Sequence, residues 1–204
     1  MPALTTRVLL ISHASTSALR AARFPLDEAV DEQGASKTAA LRLTLESSLG
    51  LRLGLRLGSA VDQAFCGPCR RTRDTALGLG LDARPEPALR DLDAGRWAGR
   101  SIEELLDAEP EAVGAWMTDA HAAPHGGESV AALMLRVSAW LDARRSAGPG
   151  RIVAVTHPAV MRAAVLHVVG APSGSFWAVD VAPLTVIRMQ CTRDRWRLRF
   201  GPAT

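Results

Sequence analysis

The chain has 204 residues, 48% of them apolar, and a formal net charge of +3. That length and composition allow a sizeable buried core and exclude a disordered chain. No apolar run reaches the ~18–20 residues of a membrane-spanning helix. Residues 1–7 lack the basic start and cleavage site of a signal peptide, so a cytoplasmic location is expected. Lys37 is the single lysine, and the many arginines are scattered along the chain. With four Phe and five Trp, no aromatic-lined basic face is evident, and nucleic acid is not expected as a partner. The three cysteines, Cys66, Cys69 and Cys191, are an odd number that does not suit a disulfide scaffold.

In chain order, Arg7–Ser12 is a short β-branched and apolar run that predicts a buried strand ending at His13. Residues 36–49 predict a helix that Gly50 ends. The pattern Leu-Gly-Leu-Arg then repeats about twice over residues 49–58, too short for a solenoid. Val61–Cys66 predicts a second strand and residues 69–80 a helix. Residues 82–100, rich in Pro, Gly, Asp and Arg, read as a loop. Ser101-Ile102-Glu103-Glu104 has the form of a capping box, which opens a helix. A long amphipathic helix is predicted over 129–146, with Val130, Leu133, Val137, Trp140 and Leu141 on one side. Arg151–Thr156 is the cleanest strand, with a helix following over 158–169. Leu184–Gln190 and Arg195–Phe200 predict a closing hairpin. Alternating strands and helices imply an α/β fold with a largely parallel central sheet, and the absence of a linker implies one domain over residues 1–204.

In open α/β sheets, ligands bind beyond the carboxyl ends of the strands. His13, the stretch Cys66–Arg71 and His157 each occupy such an end. Imidazole can serve there as nucleophile, proton carrier or cationic donor. Arginine neutralises phosphate. Together they predict a phosphate-handling edge.

Five blocks, in order, resemble the histidine phosphatase superfamily, the phosphoglycerate-mutase-like proteins. Leu10–Thr16 resembles the Arg-His-Gly-x-Thr signature. Cys66–Ala76, containing Arg71-Thr72 and Thr75-Ala76, resembles the second block. Leu89–Gly99 resembles the acid-bearing loop. Gly126-Gly127-Glu128-Ser129 resembles the Gly-Glu-Ser turn, and Val155–Arg162 the second histidine block. The resemblance implies a three-layer α/β/α sandwich and a phosphatase that needs neither metal nor cofactor. It implies a phosphorylated small molecule as substrate, and a homodimer is kept open as its assembly. It makes His13 the nucleophile that accepts the phosphoryl group, and His157 a cation on the transferring oxygens. Arg71 becomes a phosphate clamp, bidentate by preference. Asp91 aligns with the acid that protonates the leaving oxygen, one methylene shorter than the usual Glu. Asp93 is the neighbouring alternative, or a residue that hydrogen-bonds the loop backbone.

Ser12 stands where the family carries arginine, and Ala14 and Pro158 replace usual glycines. Loss of one guanidinium is expected to cost about 2–4 kcal/mol of transition-state stabilisation, roughly a hundred- to thousand-fold in rate. Ser12, Thr16, Arg23, His125 and Glu128 are candidate phosphate or substrate contacts, Arg20 and Arg23 as substitutes for the missing arginine. His167 reads as structural. The spacing of His121, His125 and Glu128 matches no zinc pattern. A phosphomonoesterase is therefore expected, with a degenerate phosphate-ligand binder as the alternative. Cys66-Gly67-Pro68-Cys69 matches the dithiol of thioredoxins and keeps a third reading, oxidoreductase, open. It also suggests a Cys66–Cys69 disulfide that perturbs Arg71.

Overall fold

The computed structural model describes residues 5–49 and 61–200. Strand β1 (Thr5–Ser12) is followed by the single turn α1 (Ser17–Arg20) and helix α2 (Glu32–Leu49). After β2 (Gln63–Cys66) come α3 (Arg70–Gly78) and the short β3 (Arg84–Pro85). Helices α4 (Ile102–Ala108), α5 (Pro110–Thr118) and α6 (Val130–Ser146) precede β4 (Gly150–Thr156) and α7 (Pro158–Val169). The hairpin β5 (Val186–Thr192) and β6 (Arg195–Arg199) closes the described chain.

The strands form one six-stranded sheet in the order β3-β2-β4-β1-β5-β6. β3, β2, β4 and β1 run parallel, β5 is antiparallel to β1, and β6 is antiparallel to β5. The sheet is thus mixed, parallel from the β3 edge to β1 and antiparallel beyond it. Strands covered on both faces carry continuous apolar runs, because neither side of the pleat meets water. β1 shows this: Val8 and Leu10 pack on one face with α6 and α7, in a core that includes Leu133, Trp140, Val160 and Met161. Leu9 and Ile11 pack on the other face with Leu45 of α2 and Ala76 of α3. The α/β/α layering follows from that alternation. A third cluster, Trp97, Leu105, Val113 and Trp116, binds α4 and α5 to the loop at 94–97.

Several elements differ from the sequence expectations, among them β2, which starts two residues late at Gln63, and α5, which was not expected. α2 begins at Glu32, four residues early, because the Asp31 carboxylate accepts a hydrogen bond from the Gly34 amide at 2.7 Å and caps the helix. The stretch 82–100 is not all loop. Arg84–Pro85 adds an edge strand beside β2, a position that tolerates proline, and Pro87–Leu89 and Gly95–Trp97 form short helical turns. The hairpin shifts to Val186–Thr192, and its turn residues Arg193 and Asp194 both have positive φ, 51° and 60°. The Leu-Gly-Leu-Arg repeat falls outside the described residues apart from its first, Leu49.

Candidate active site

β2, β4 and β1 are adjacent and parallel, so their carboxyl ends lie on one edge. His13 follows β1, and its amide donates to Thr156 O at 2.8 Å, which locks it beside the end of β4. His157 follows β4 and occupies the N-cap of α7, with Pro158 as the first helical residue. Cys69 caps α3, and Arg71 lies in that helix's first turn. Asp91 arrives on the loop after Pro87–Leu89. That loop is tied down by the Thr156 hydroxyl, which donates to Leu89 O at 3.0 Å, and by Arg136 of α6, which donates to Ala88 O at 2.8 Å.

Four side chains converge there. The His13 and His157 ring centroids are 5.2 Å apart at 62°. His157 Nδ1 lies 3.2 Å from Asp91 Oδ2, close enough for an ion pair but not aligned as a hydrogen bond. Arg71 Nη2 donates to the same Asp91 oxygen at 2.7 Å, and its Nη1 donates to Leu26 O at 2.7 Å. His13, Arg71 and His157 are all buried. His13 Nδ1 is 2.7 Å from Ala14 O. A carbonyl only accepts, so that contact places the proton on Nδ1 and leaves the Nε2 lone pair unprotonated.

The charges follow from this packing. Burial, and then the charge of His157, lowers the His13 pKa to about 4, so the ring is neutral at physiological pH. Burial also disfavours charge on His157, but the Asp91 carboxylate and contacts with Asp91 and Cys69 outweigh it and hold the pKa above the ordinary 6.5. For Asp91, burial favours the neutral acid, yet His157 and Arg71 win and keep the carboxyl well below the usual range. The edge therefore presents a His13 imidazole held towards its neutral form, flanked by the Arg71 guanidinium, a His157 imidazole held towards its charged form, and one carboxylate.

Two residues of this cluster, His13 and Asp91, also line a cavity of about 490 Å³. Thr16 and Arg23 reach its wall as well. The Thr16 hydroxyl already donates to Glu28 at 3.1 Å and caps α1 by accepting from the Leu19 amide. Arg23 is held by Glu104 at 2.7 Å and by Gly99 O at 3.0 Å. Arg20 pairs with Asp31 at 3.5 Å.

Three expected contacts are corrected. Ser12 is fully buried, and its hydroxyl donates to Ala182 O at 2.6 Å and accepts from the Thr185 amide at 2.9 Å, so it braces the approach to β5. His125 is buried against Trp97 and Trp116, ring centroids 5.0 and 6.3 Å away, and its Nδ1 accepts from the Gly127 amide. Glu128 pairs with Arg136 at 2.6 Å and Arg90 at 3.0 Å, and so supports the Asp91 loop without lining the cavity. Asp93 does hydrogen-bond backbone, accepting from the Gly95 amide at 2.9 Å. The dithiol is also corrected: Cys66 and Cys69 are both free. Cys66 is buried at the end of β2, whereas Cys69 Sγ lies 3.5 Å from His157 Nε2.

Sequence reading had assigned no role to three residues of this region. Arg162 lines the cavity, anchored by its Nε on Val179 O at 2.7 Å and lying 5.6 Å from the Trp177 ring. Its spacing of four from Pro158, another wall residue, was a readable signal, since such positions share a helix face. Glu28 approaches Arg71 at 3.9 Å. At Gly67 a Cβ would sit 2.8 Å from Leu89 O and 2.9 Å from His157 Nε2, so only glycine lets this loop pass the imidazole.

Comparison with known proteins gives the same picture. The model of the histidine phosphatase superfamily (branch 1) matches residues 50–201, a span that begins after His13. Phosphoserine phosphatase 1 of Hydrogenobacter thermophilus is 30% identical over 142 residues, 66% of this chain and 67% of that protein. Glucosyl-3-phosphoglycerate phosphatase of Mycolicibacterium vanbaalenii is 45% identical over 65 residues, 29% of this chain and 28% of that one. Among solved structures, a mycobacterial glucosyl-3-phosphoglycerate phosphatase in complex with VO3 superposes with a TM-score of 0.80 at 24% identity, over 98% of this chain and all of that chain. A putative alpha-ribazole-5'-P phosphatase from Escherichia coli gives 0.80 at 22%, over 95% of this chain and 94% of that one. Strand-end histidines, a buried arginine beside them and these likenesses lead to one conclusion: the chain belongs to the histidine phosphatase superfamily and is a phosphatase.

Proposed function

We propose that the chain hydrolyses phosphomonoesters of small molecules through a phosphohistidine on His13. His13 Nε2 forms the N–P bond as the ester P–O bond breaks, and Ala14 O keeps the Nδ1 proton in place throughout. His157 and Arg71 neutralise the transferring oxygens. Asp91 is ionised in the free site. An arriving phosphate dianion competes for Arg71 and His157 and adds like charge, which raises the Asp91 pKa. The carboxyl then takes up a proton from solvent and delivers it to the departing alkoxide. In the second half-reaction Asp91 accepts a proton from the water that attacks phosphorus, and the P–N bond breaks to restore neutral His13.

Arg162 offers a second guanidinium near the site, where position 12 supplies none. Burial lowers its pKa somewhat, against the charges of Asp180 and Asp91. The observation that carries the proposal is the pairing, at 5.2 Å between ring centroids, of His13, whose Nδ1 faces Ala14 O, with His157, whose Nδ1 faces the Asp91 carboxylate. The relatives act on phosphoserine and glucosyl-3-phosphoglycerate by name, which fits a phosphorylated small molecule here. A second reading, phosphate binding without turnover, is favoured by Ser12, whose hydroxyl is engaged with Ala182 O and the Thr185 amide.

Phosphoenzyme trapping separates the two. With a labelled phosphomonoester and rapid quench, wild type is expected to form an acid-labile, alkali-stable adduct. His13→Ala is expected to form none and to lose about three orders of magnitude in rate, roughly 4 kcal/mol of barrier. Equal turnover by the variant rejects the phosphohistidine. Phosphate binding by wild type with no adduct and no turnover supports the second reading.

A further inference from the structure

The cavity beside His13 and Asp91 is walled mainly by apolar and aromatic side chains. Its far wall comes from α5, from Ser173–Ala178 and from the loops that carry Phe24 and Leu92, and includes those two with Trp116, Met117, Phe176 and Trp177. The rings are packed on one another. Trp116 and Trp177 centroids are 4.5 Å apart, Phe176 and Trp177 4.9 Å, and Phe24 and Trp116 5.6 Å. Trp97, fully buried, backs this wall at 5.6 Å from Trp116. Such a wall is stiff, and it presents aromatic area at small entropic cost to whatever it binds.

The polar groups of the wall are few and largely engaged within the protein. Thr16 is bonded to Glu28, Arg23 to Glu104, and Asp91 to Arg71. Arg162 lies against Phe176 and Trp177, 5.8 and 5.6 Å from their centroids, a cation over aromatic faces. An amino acid such as serine would bring an ammonium that finds no uncommitted carboxylate here, and a polyol would bring hydroxyls facing indole and thioether. Burying such groups without partners is unfavourable. The cavity of about 490 Å³ lies within the ~300–1,000 Å³ range of sites that enclose drug-sized, mainly apolar ligands.

We propose that this site takes phosphomonoesters of bulky, apolar, preferably aromatic alcohols, with the phosphoryl group at His13 and the alcohol against the Phe24–Trp116–Trp177 wall. This rests on the phosphatase reading for the place of the phosphoryl group, while the choice of alcohol rests on the cavity wall alone. The proposal separates this chain from relatives named for phosphoserine and for a glucosylated phosphoglycerate.

The test uses the full chain and phosphates of primary alcohols, so that leaving-group acidity is alike across the set. 3-Phenylpropyl phosphate is compared with glycerol 3-phosphate and O-phosphoserine. The expected result is a kcat/KM at least about ten-fold higher for the phenylpropyl ester, the order expected for a few apolar groups entering an apolar pocket, and carried by KM. Trp177→Ala is expected to narrow that ratio. Met117→Glu places a carboxylate in the wall at a side chain 48% exposed, which the fold tolerates, and is expected to narrow it further. Calorimetric binding of 3-phenylpropylphosphonate and 2-aminoethylphosphonate, to wild type and to His13→Ala, reads the same preference without turnover. An equal or reversed ranking in esters or phosphonates overturns the substrate class. The expected phosphonate ranking with no ester hydrolysed upholds the class and rejects the phosphatase reading.

Discussion

His13 and His157 are the same side chain 5.2 Å apart, with their pKa values shifted in opposite directions. The difference comes from their neighbours. Burial and then the charge of His157 lower the His13 pKa, against the Ala14 carbonyl, which raises it; the Asp91 carboxylate holds His157 up against burial. Attack needs neutral His13, so the acid limb of kcat/KM is expected near pH 4, where that ring protonates. Phosphoryl binding needs charged His157, so the alkaline limb is expected above 6.5, the ordinary histidine value. A pH–rate profile checks both, and an acid limb near 6.5 would reject the assignment of the neutral ring to His13. Stability is linked to the same groups. His13 is lowered on folding, so the unfolded chain binds its proton more readily, and stability falls as pH drops from 6.5 towards 4. Asp91 is also lowered, so its contribution is present above 3.8 and fades below it. His157 is raised, so its contribution is full below 6.5 and is lost as pH rises through its folded value.

Among the elements, α4 shows how a local signal carries over into the site. The Ser101 hydroxyl accepts from the Glu104 amide at 3.1 Å, and the Glu104 carboxylate accepts from the Ser101 amide at 3.0 Å. The same carboxylate holds Arg23 at 2.7 Å, and so fixes one side of the cavity mouth. Ser101→Ala removes the cap and is expected to cost about 1 kcal/mol, a fall of about 2–4 °C in Tm for a chain of this size. Differential scanning calorimetry measures it. The exposed Arg23–Glu104 pair contributes little to stability by itself, so an unchanged Tm in Ser101→Ala would mean that the box does not form.

For the whole molecule, the sheet edge gathers residues as far apart as 13, 71, 91 and 157, and an anion held there ties β1, α3, the 87–91 loop and β4 together. Binding to the folded state alone stabilises it. At inorganic phosphate a hundred-fold above Kd the gain is about 2.7 kcal/mol, or about 5–10 °C in Tm. Arg71→Met is expected to abolish that shift; a shift of unchanged size in the variant would place phosphate elsewhere.

Much of this was legible in the sequence. Strands followed by His13 and His157, and the Arg71 and Asp91 blocks, specified the α/β layering and the four residues that meet at its edge, because burial on both faces writes a continuous apolar run and a strand's end sets where the next residue lies. The capping box of α4 was equally local. The rest depended on contacts from distant parts of the chain. Ser12 turns to Ala182 and Thr185, His125 sinks beneath Trp97 and Trp116, and Glu128 faces Arg136. The Cys66–Cys69 spacing suggested a dithiol, but the turn into α3 leaves Cys66 in the core and sets Cys69 against His157. The sequence by itself thus determined which residue types stand at the strand ends. Only the tertiary structure decided which way the loop residues point, how the pKa values of the paired histidines are shifted, and that an aromatic wall drawn from three separate segments lines the cavity beside them, because side-chain direction and pKa are properties of packed neighbours.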